Sequence, residues 1–226
     1  MKKEWCIPPK QNAEFVCNME DVLDVYQRQY DRNCPVVCMD ESSKQRVKET
    51  RLGIPLGAGQ VECFDTEYER NGVSNLFMFC EPLKGWRRVK VTDRRTKRDW
   101  AMAMKELADK HYADAEKIVV IMDNLNTHSA SSFYEAFAPE EAQRLRERFE
   151  FHYTPKHGSW LNIAEIEFSI LSRQCLDRRI PDQQTLVKEV AAWNTARNNQ
   201  MGKVDWQFTT QDARIKLKKL YPSILK

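Results

Sequence analysis

A chain of 226 residues is long enough to bury one substantial core, and 42% hydrophobic with 31% charged residues is the balance of a folded globular protein, not a disordered or fibrous one. No apolar run approaches the ~20 residues of a membrane span and no charged-then-apolar leader opens the chain, so no membrane partner and a cytoplasmic setting are expected. The formal charge of +3 is by itself a weak signal for nucleic acid.

In chain order, residues 1–32 are expected to form a helical lead-in, with a helix over Glu14 to Asp31 carrying Val22, Val25, Tyr26 and Gln29 along one side. Residues 33–226 are expected to form the main domain. Pro35 to Met39 is a short apolar strand running into Asp40 and Glu41, and the stretch after Glu41, through Arg51 to Gly59, is broken by Pro and Gly and is expected to be loop. Glu67 to Gly72 ends in Asn-Gly, the signal of a hairpin turn, ahead of strands at Val73 to Cys80 and Trp86 to Val91. With Pro35 to Asp40 these make an antiparallel meander. Thr96 caps a helix over Lys97 to His111, whose stripe is Trp100, Met104, Leu107 and His111. Ile118 to Met122 is a strand buried on both faces, followed by helical stretches at Ser131 to Phe137 and Pro139 to Arg148. Phe149 to Thr154 is a strand stopped by Pro155. Helices are then expected over His157 to Leu171, Asp182 to Asn199 and Thr210 to Tyr221.

Three carboxylates stand out. Asp123 closes the central strand and Asp40 closes the first, at the strand ends where open α/β sheets place their ligands. Glu165 and Glu167 interrupt the amphipathic helix that follows Pro155, two positions apart and therefore on different faces. Two strand ends and one helix supplying oxygens suit a hard divalent cation such as Mg²⁺ or Mn²⁺. The alternatives are a helix-capping role for Asp123 and an ordinary exposed helix position for Glu165.

The stretch Lys84 to Arg98 carries eight basic residues against one Asp. Either it is a solvated strand edge, or it tracks DNA phosphates through Arg87, Arg88, Lys90, Arg94, Arg95 and Lys97. Lys156 and His157, just ahead of the Glu165 helix, are further phosphate candidates near its amino end. In the loop after Asp123, His128 is either a satisfied loop histidine or a group orienting water or phosphate. Asn124 and Asn126 are expected to fix that loop by side-chain to backbone bonds. The seven Cys residues are scattered and are expected to be free, buried thiols.

Asp40 in VVCMDES, Asp123 in VIMDNLNTH and Glu165 in HYTPKHGSWLNIAEIEFS resemble the catalytic region of the DDE transposases of bacterial insertion sequences, in the mariner-like superfamily and its IS-six-thirty group. The family motif Leu-Asn-x-x-Glu is matched by Leu161, Asn162 and Glu165, which favours Glu165 over Glu167 as third ligand. The spacing from Asp123 to Glu165 suits the insertion-sequence branch. The resemblance implies a ribonuclease H-like α/β fold, a mixed central sheet with an antiparallel three-strand meander and flanking helices. It further implies two Mg²⁺ or Mn²⁺ ions, with Asp40 bridging both and Asp123 and Glu165 each holding one; Glu41, next to Asp40 on a strand, is expected on the opposite face and not as a ligand. DNA cleavage and joining at transposon ends and target is the implied activity, with a homodimer as a partner state. The family's amino-terminal helix-turn-helix has no counterpart before Pro35, so a separate recognition chain is a further expected partner. The rivals are another ribonuclease H-like nuclease and an inert DNA-binding remnant.

Overall fold

The computed structural model describes residues 10–223 apart from 52, 55, 62, 64 and 126. Its centre is a five-stranded sheet in the order β3-β2-β1-β4-β5, made of β1 (Val36–Glu49), β2 (Tyr68–Glu81), β3 (Trp86–Thr92), β4 (Ile118–Asp123) and β5 (Phe149–Thr154). The first three strands pair antiparallel, while β4 pairs parallel with both β1 and β5. Parallel neighbours need long crossovers, and helices supply them. α2 (Lys97–Glu106) leads from β3 to β4; α3 (Ser131–Ala136) and α4 (Pro139–Arg148) lead from β4 to β5.

Side chains alternate across the pleat and divide the core in two. On one face Cys38, Met78, Val89, Val119 and Ile121 pack beneath α1 (Ala13–Tyr26), α5 (Ile163–Leu171), α6 (Gln183–Asn199) and α7 (Thr210–Lys216). On the other, Val37, Met39, Phe77, Val120 and Met122 pack beneath α2, α3 and α4. Phe15, Met19, Val22 and Leu23 share the first core, so α1 is a layer of the domain and not a separate lead-in.

Several boundaries differ from expectation. α1 stops at Tyr26, and Asp31 instead turns the chain into β1 by accepting the Asn33 N–H at 2.8 Å. β1 does not end at Asp40 but continues to Glu49, paired with β2 in a long polar arm. Its residues Ser42 to Glu49 have no buried face to impose a period, which is why they read as loop. Backbone pairing and an anchor from the Val47 N–H to the Ile180 carbonyl (2.9 Å) hold them instead. Asn71-Gly72 is not a hairpin turn. It lies inside β2 where the register against β1 shifts between Gln45 and Val47, and Gly72 takes the left-handed φ of 78° that such a bulge favours. Of the expected loop over Arg51 to Gly59, Leu52 and Pro55 lie outside the described residues; the rest is irregular, with bridges at Ile54–Cys63 and Gly57–Gln60. The six described cysteines are free, but Cys17 and Cys63 are exposed.

The α2 expectation holds in span, with a π-helical turn over Leu107–His111 finishing it. The helix of Glu165 begins later than expected. Ser159–Leu161 is a 3₁₀ turn, and Asn162 caps α5, so Trp160 and Leu161 lie ahead of the helix. The last expected helix ends as α7 at Lys216, with a 3₁₀ turn over Lys218–Leu220.

An internal ion pair ties β3 to α5 and α6. Arg87 donates to Glu167 at 2.7 Å with both side chains about 1% exposed, and Arg197 adds bonds of 3.2 and 3.3 Å to the same carboxylate. Burial alone would raise the Glu167 pKa, but the two guanidinium groups outweigh it and hold the carboxyl below the ordinary range. Asn198 clasps the Arg87 backbone, accepting its N–H at 2.7 Å and donating to its carbonyl at 2.8 Å. Removing one member of such a pair leaves a buried charge short of partners. Arg87→Ala is expected to lower the unfolding free energy in urea by about 3 kcal/mol; a loss under about 1 kcal/mol would mean that the pair does not lock the layers.

Candidate active site

β1 and β4 run parallel with Val36 opposite Val119, Val37 opposite Val120 and Cys38 opposite Ile121. Continuing that register sets Asp40 beside Asp123, both on the face of Cys38 and Ile121 by alternation. Asp40 therefore sits within a strand, where β1 outruns β4, and Asp123 is the last residue of its strand. The third acid arrives from above that face. Glu165 is in the first turn of α5 and exposed, whereas Glu167 is buried in the pair with Arg87. The choice of Glu165 over Glu167 thus has a geometric basis, since Glu167 is already committed.

The cap of α5 is welded to β1. Asn162 is buried; its Oδ1 accepts the Ala164 N–H at 3.1 Å and its Nδ2 donates to the Met39 carbonyl at 2.9 Å. The same turn is braced by Tyr26, whose hydroxyl donates to the Leu161 carbonyl at 2.7 Å and lies 3.3 Å from the Cys38 Sγ.

The electrostatics show that the three acids feel one another. Burial first, and then the charges of Asp123 and Glu165, raise the Asp40 pKa to about 7, against the Glu41 N–H that donates to it at 2.8 Å. Glu165 is raised by burial, opposed by Ser159 and assisted by Asp123. This is a cluster of mutually repelling oxygens of the kind a hard cation neutralises. Among the described residues, however, no three His, Cys, Asp or Glu side chains are drawn together closely enough to form a metal site as they stand. The donor chemistry fits a divalent cation; the arrangement is open.

His128 is fully buried, stacked on Trp100 with ring centroids 6.0 Å apart. Its Nδ1 is 2.6 Å from the Asp123 Oδ1 and its Nε2 is 3.4 Å from the Glu41 Oε2. Burial alone would lower its pKa, but the two carboxylates outweigh it and raise it to about 9, so both ring nitrogens carry protons at neutral pH. The ring has no solvent face from which to orient water or phosphate; it fixes Asp123. Glu41, on the opposite side of β1 from Asp40, is spent on His128 and on Arg95 at 3.3 Å.

The model of the DDE superfamily endonucleases matches residues 35–187, which includes all three acids. The chain belongs to that family. No curated protein sequence matches it. Among solved structures it resembles the Mos1 transposase paired-end complex with left transposon end at 12% identity, TM-score 0.63, over 98% of this chain and 67% of that one. It also resembles the Mos1 mariner paired-end complex with Mn (14%, TM-score 0.57, 89% and 61%) and the Mos1 strand transfer complex (13%, TM-score 0.59, 89% and 60%). At such identity the likeness establishes the ribonuclease H-like fold shared with mariner transposases. The chain spans some 60–67% of the length of those Mos1 chains.

The basic run of this chain does not form one surface, because its first part lies on β3, where alternation splits it, and the rest leads into α2. Arg87 points into the core and is no phosphate contact. Arg88 and Lys90 point the other way, onto Glu106 of α2 at 3.4 and 2.7 Å. Lys97 pairs with Glu135 at 2.6 Å. Arg95 stands beside the site through Glu41. Arg94 is exposed with no acidic partner among the described residues. Lys156 and His157 are exposed in the turn ahead of α5, His157 with a left-handed φ of 66°. Asn124 is exposed and makes no side-chain hydrogen bond among the described residues, and Asn126 lies outside them. The loop is closed instead by the His128 N–H on the Leu125 carbonyl and the Ser132 hydroxyl on the Thr127 carbonyl, both 2.9 Å. The sequence gives no sign of the His128–Glu41 link, which joins residues far apart in the chain.

A carboxyl whose folded pKa is raised stabilises the fold fully below its unfolded pKa near 3.8, and that contribution is lost as pH climbs toward 7. In metal-free buffer Asp40→Asn is therefore expected to raise the melting temperature by a few degrees at pH 8 and to leave it unchanged below pH 4. An equal shift at both pH values, or none at pH 8, would show that Asp40 is not under this strain.

Proposed function

We propose that this chain is the catalytic domain of a DNA transposase that cuts and joins strands by divalent-metal-dependent phosphoryl transfer. What supports the proposal is that Asp40, Asp123 and Glu165, carried by β1, β4 and α5, all lie inside the family match, with the charges of Asp123 and Glu165 both acting on Asp40. Asp40, Asp123 and Glu165 are the residues that would hold the divalent ions. When bound, Mg²⁺ or Mn²⁺ supplies charge neutralisation at the scissile phosphate and a nucleophile deprotonated at neutral pH.

The chain's own residues prepare that chemistry. His128 holds one oxygen of Asp123, leaving the other to face the site. Glu41 keeps His128 charged and Arg95 close by. Arg94, Lys156 and His157 are the exposed cationic or ionisable groups placed to meet phosphates, and their contribution would weaken with salt. The Mos1 structures are described as a paired-end complex with a left transposon end and a strand transfer complex, which supports transposon-end DNA as substrate; target DNA and a homodimeric working unit belong to the same proposal. A separate chain carrying end recognition is compatible with the same scheme. No helix among the described residues is long and apolar enough to cross a membrane.

With purified chain and supercoiled plasmid, nicking is expected in Mn²⁺ or Mg²⁺ but not in EDTA, and Asp123→Ala is expected to reduce the rate by at least about 100-fold. Nicking that survives Asp123→Ala, or that needs no metal, contradicts the proposal. Absence of both nicking and metal binding in the wild-type chain would identify the inert remnant instead.

A further inference from the structure

The three acids are carried by elements distant in sequence, and α5 is short, so something must set where Glu165 stands relative to Asp40. The described residues show one direct polar link between the turn that starts α5 and the strand that carries Asp40: the Asn162 side chain. We infer that Asn162 is a positioning residue that sets the spacing of Asp40 and Glu165 and thereby the affinity of the site for divalent cations, an inference that rests on the metal-dependent function proposed above.

The link joins the two acids by a short path. Met39, whose carbonyl receives the Asn162 amide, is the residue before Asp40. At the other end the Asn162 backbone carbonyl accepts the Glu165 N–H at 3.1 Å, while its side-chain oxygen caps the Ala164 N–H. The two side-chain bonds of Asn162, to Met39 and Ala164, are buried, so neither competes with water and each is costly to leave unmade. The task is chemically narrow. The side chain must accept from a helix N-terminus and donate to a strand carbonyl at once, within cap length. Aspartate caps but does not donate, serine caps but is too short to reach the neighbouring strand, and glutamine donates but caps poorly. Tyr26 works beside it, tying the preceding Leu161 carbonyl to the region of Cys38 on the same strand. Two struts therefore fix the turn against consecutive residues of β1, and Glu165 follows from that turn.

A cap that merely stabilised its helix would act on folding alone. Asp182 provides the comparison: it caps α6 through the Thr185 N–H at 2.7 Å, and among the described residues its side chain makes no hydrogen bond to β1 or α5. Asn162→Ser retains the cap and loses the link to Met39. The test is a Mn²⁺ titration followed by electron paramagnetic resonance on the full chain, alongside urea unfolding, for wild type, Asn162→Ser and Asp182→Ala. Asn162→Ser is expected to weaken Mn²⁺ binding by about 10-fold, as for other supports one step removed from a metal ligand. Asp182→Ala is expected to unfold at lower urea with unchanged Mn²⁺ affinity. If Asn162→Ser does not fold, Tyr26→Phe carries the same test, because it removes the second strut while keeping the ring, and its Mn²⁺ affinity is expected to fall several-fold. Affinity within a factor of two of wild type in the folded variant overturns the inference and leaves the proposed function standing. A wild-type chain that binds no Mn²⁺ overturns both.

Discussion

The parallel pairing of β1 with β4 is the constraint on which the rest of the site depends. Because side chains alternate, a slip of one residue would send Asp40 to the opposite face, away from Glu165, and bury a carboxylate among Phe77, Trp100 and their neighbours. The register is held by the apolar residues before the acids: Val37, Cys38 and Met39 in one strand and Ile118 to Met122 in the other are all essentially buried. Hydrophobic packing, which has no interest in catalysis, thereby fixes two negative charges side by side. Burial does most to raise the pKa of Asp40 and the repulsion from Asp123 and Glu165 adds to it, a strain that the proposed cation would relieve.

The two faces of the sheet divide the work around those charges. One face carries the open side of the site and receives α5, held by Asn162 at its start and by Glu167 on Arg87 and Arg197 one turn later. On the other face the charged ring of His128, buried against Trp100, reaches the strand end from behind and takes one oxygen of Asp123. Asp123 is thus gripped from one side and presented to the other. Such support by groups that touch no substrate would keep Asp123 in place for the proposed metal.

Much of this was legible in the sequence, for identifiable reasons. β5 and α4 carry their own punctuation, Pro139 at the helix start and Pro155 after the strand, and both match the expected limits. The three acids were visible because two follow buried apolar strands and the third interrupts a helical stripe. The long arms of β1 and β2 were not, since a strand solvated on both faces has no period to read. Arg87 was misplaced because a cluster in sequence is not a cluster in space when the segment is a strand. Asn162 did leave a signal: Asn three positions before Glu165 at the head of an apolar run is the pattern of a helix start. Its second bond, to Met39, belongs to tertiary structure alone.

Asp40, Asp123 and Glu165 are proposed to hold a divalent cation together. The most direct measurement replaces that cation with Fe²⁺ and, with ascorbate and peroxide, lets the hydroxyl radicals formed at the ion cut the nearby backbone. Cuts grouped around residues 40, 123 and 165, suppressed by excess Mg²⁺ and absent from Asp123→Ala, are the expected result. Cuts grouped elsewhere, or a pattern that Mg²⁺ does not suppress, would contradict it.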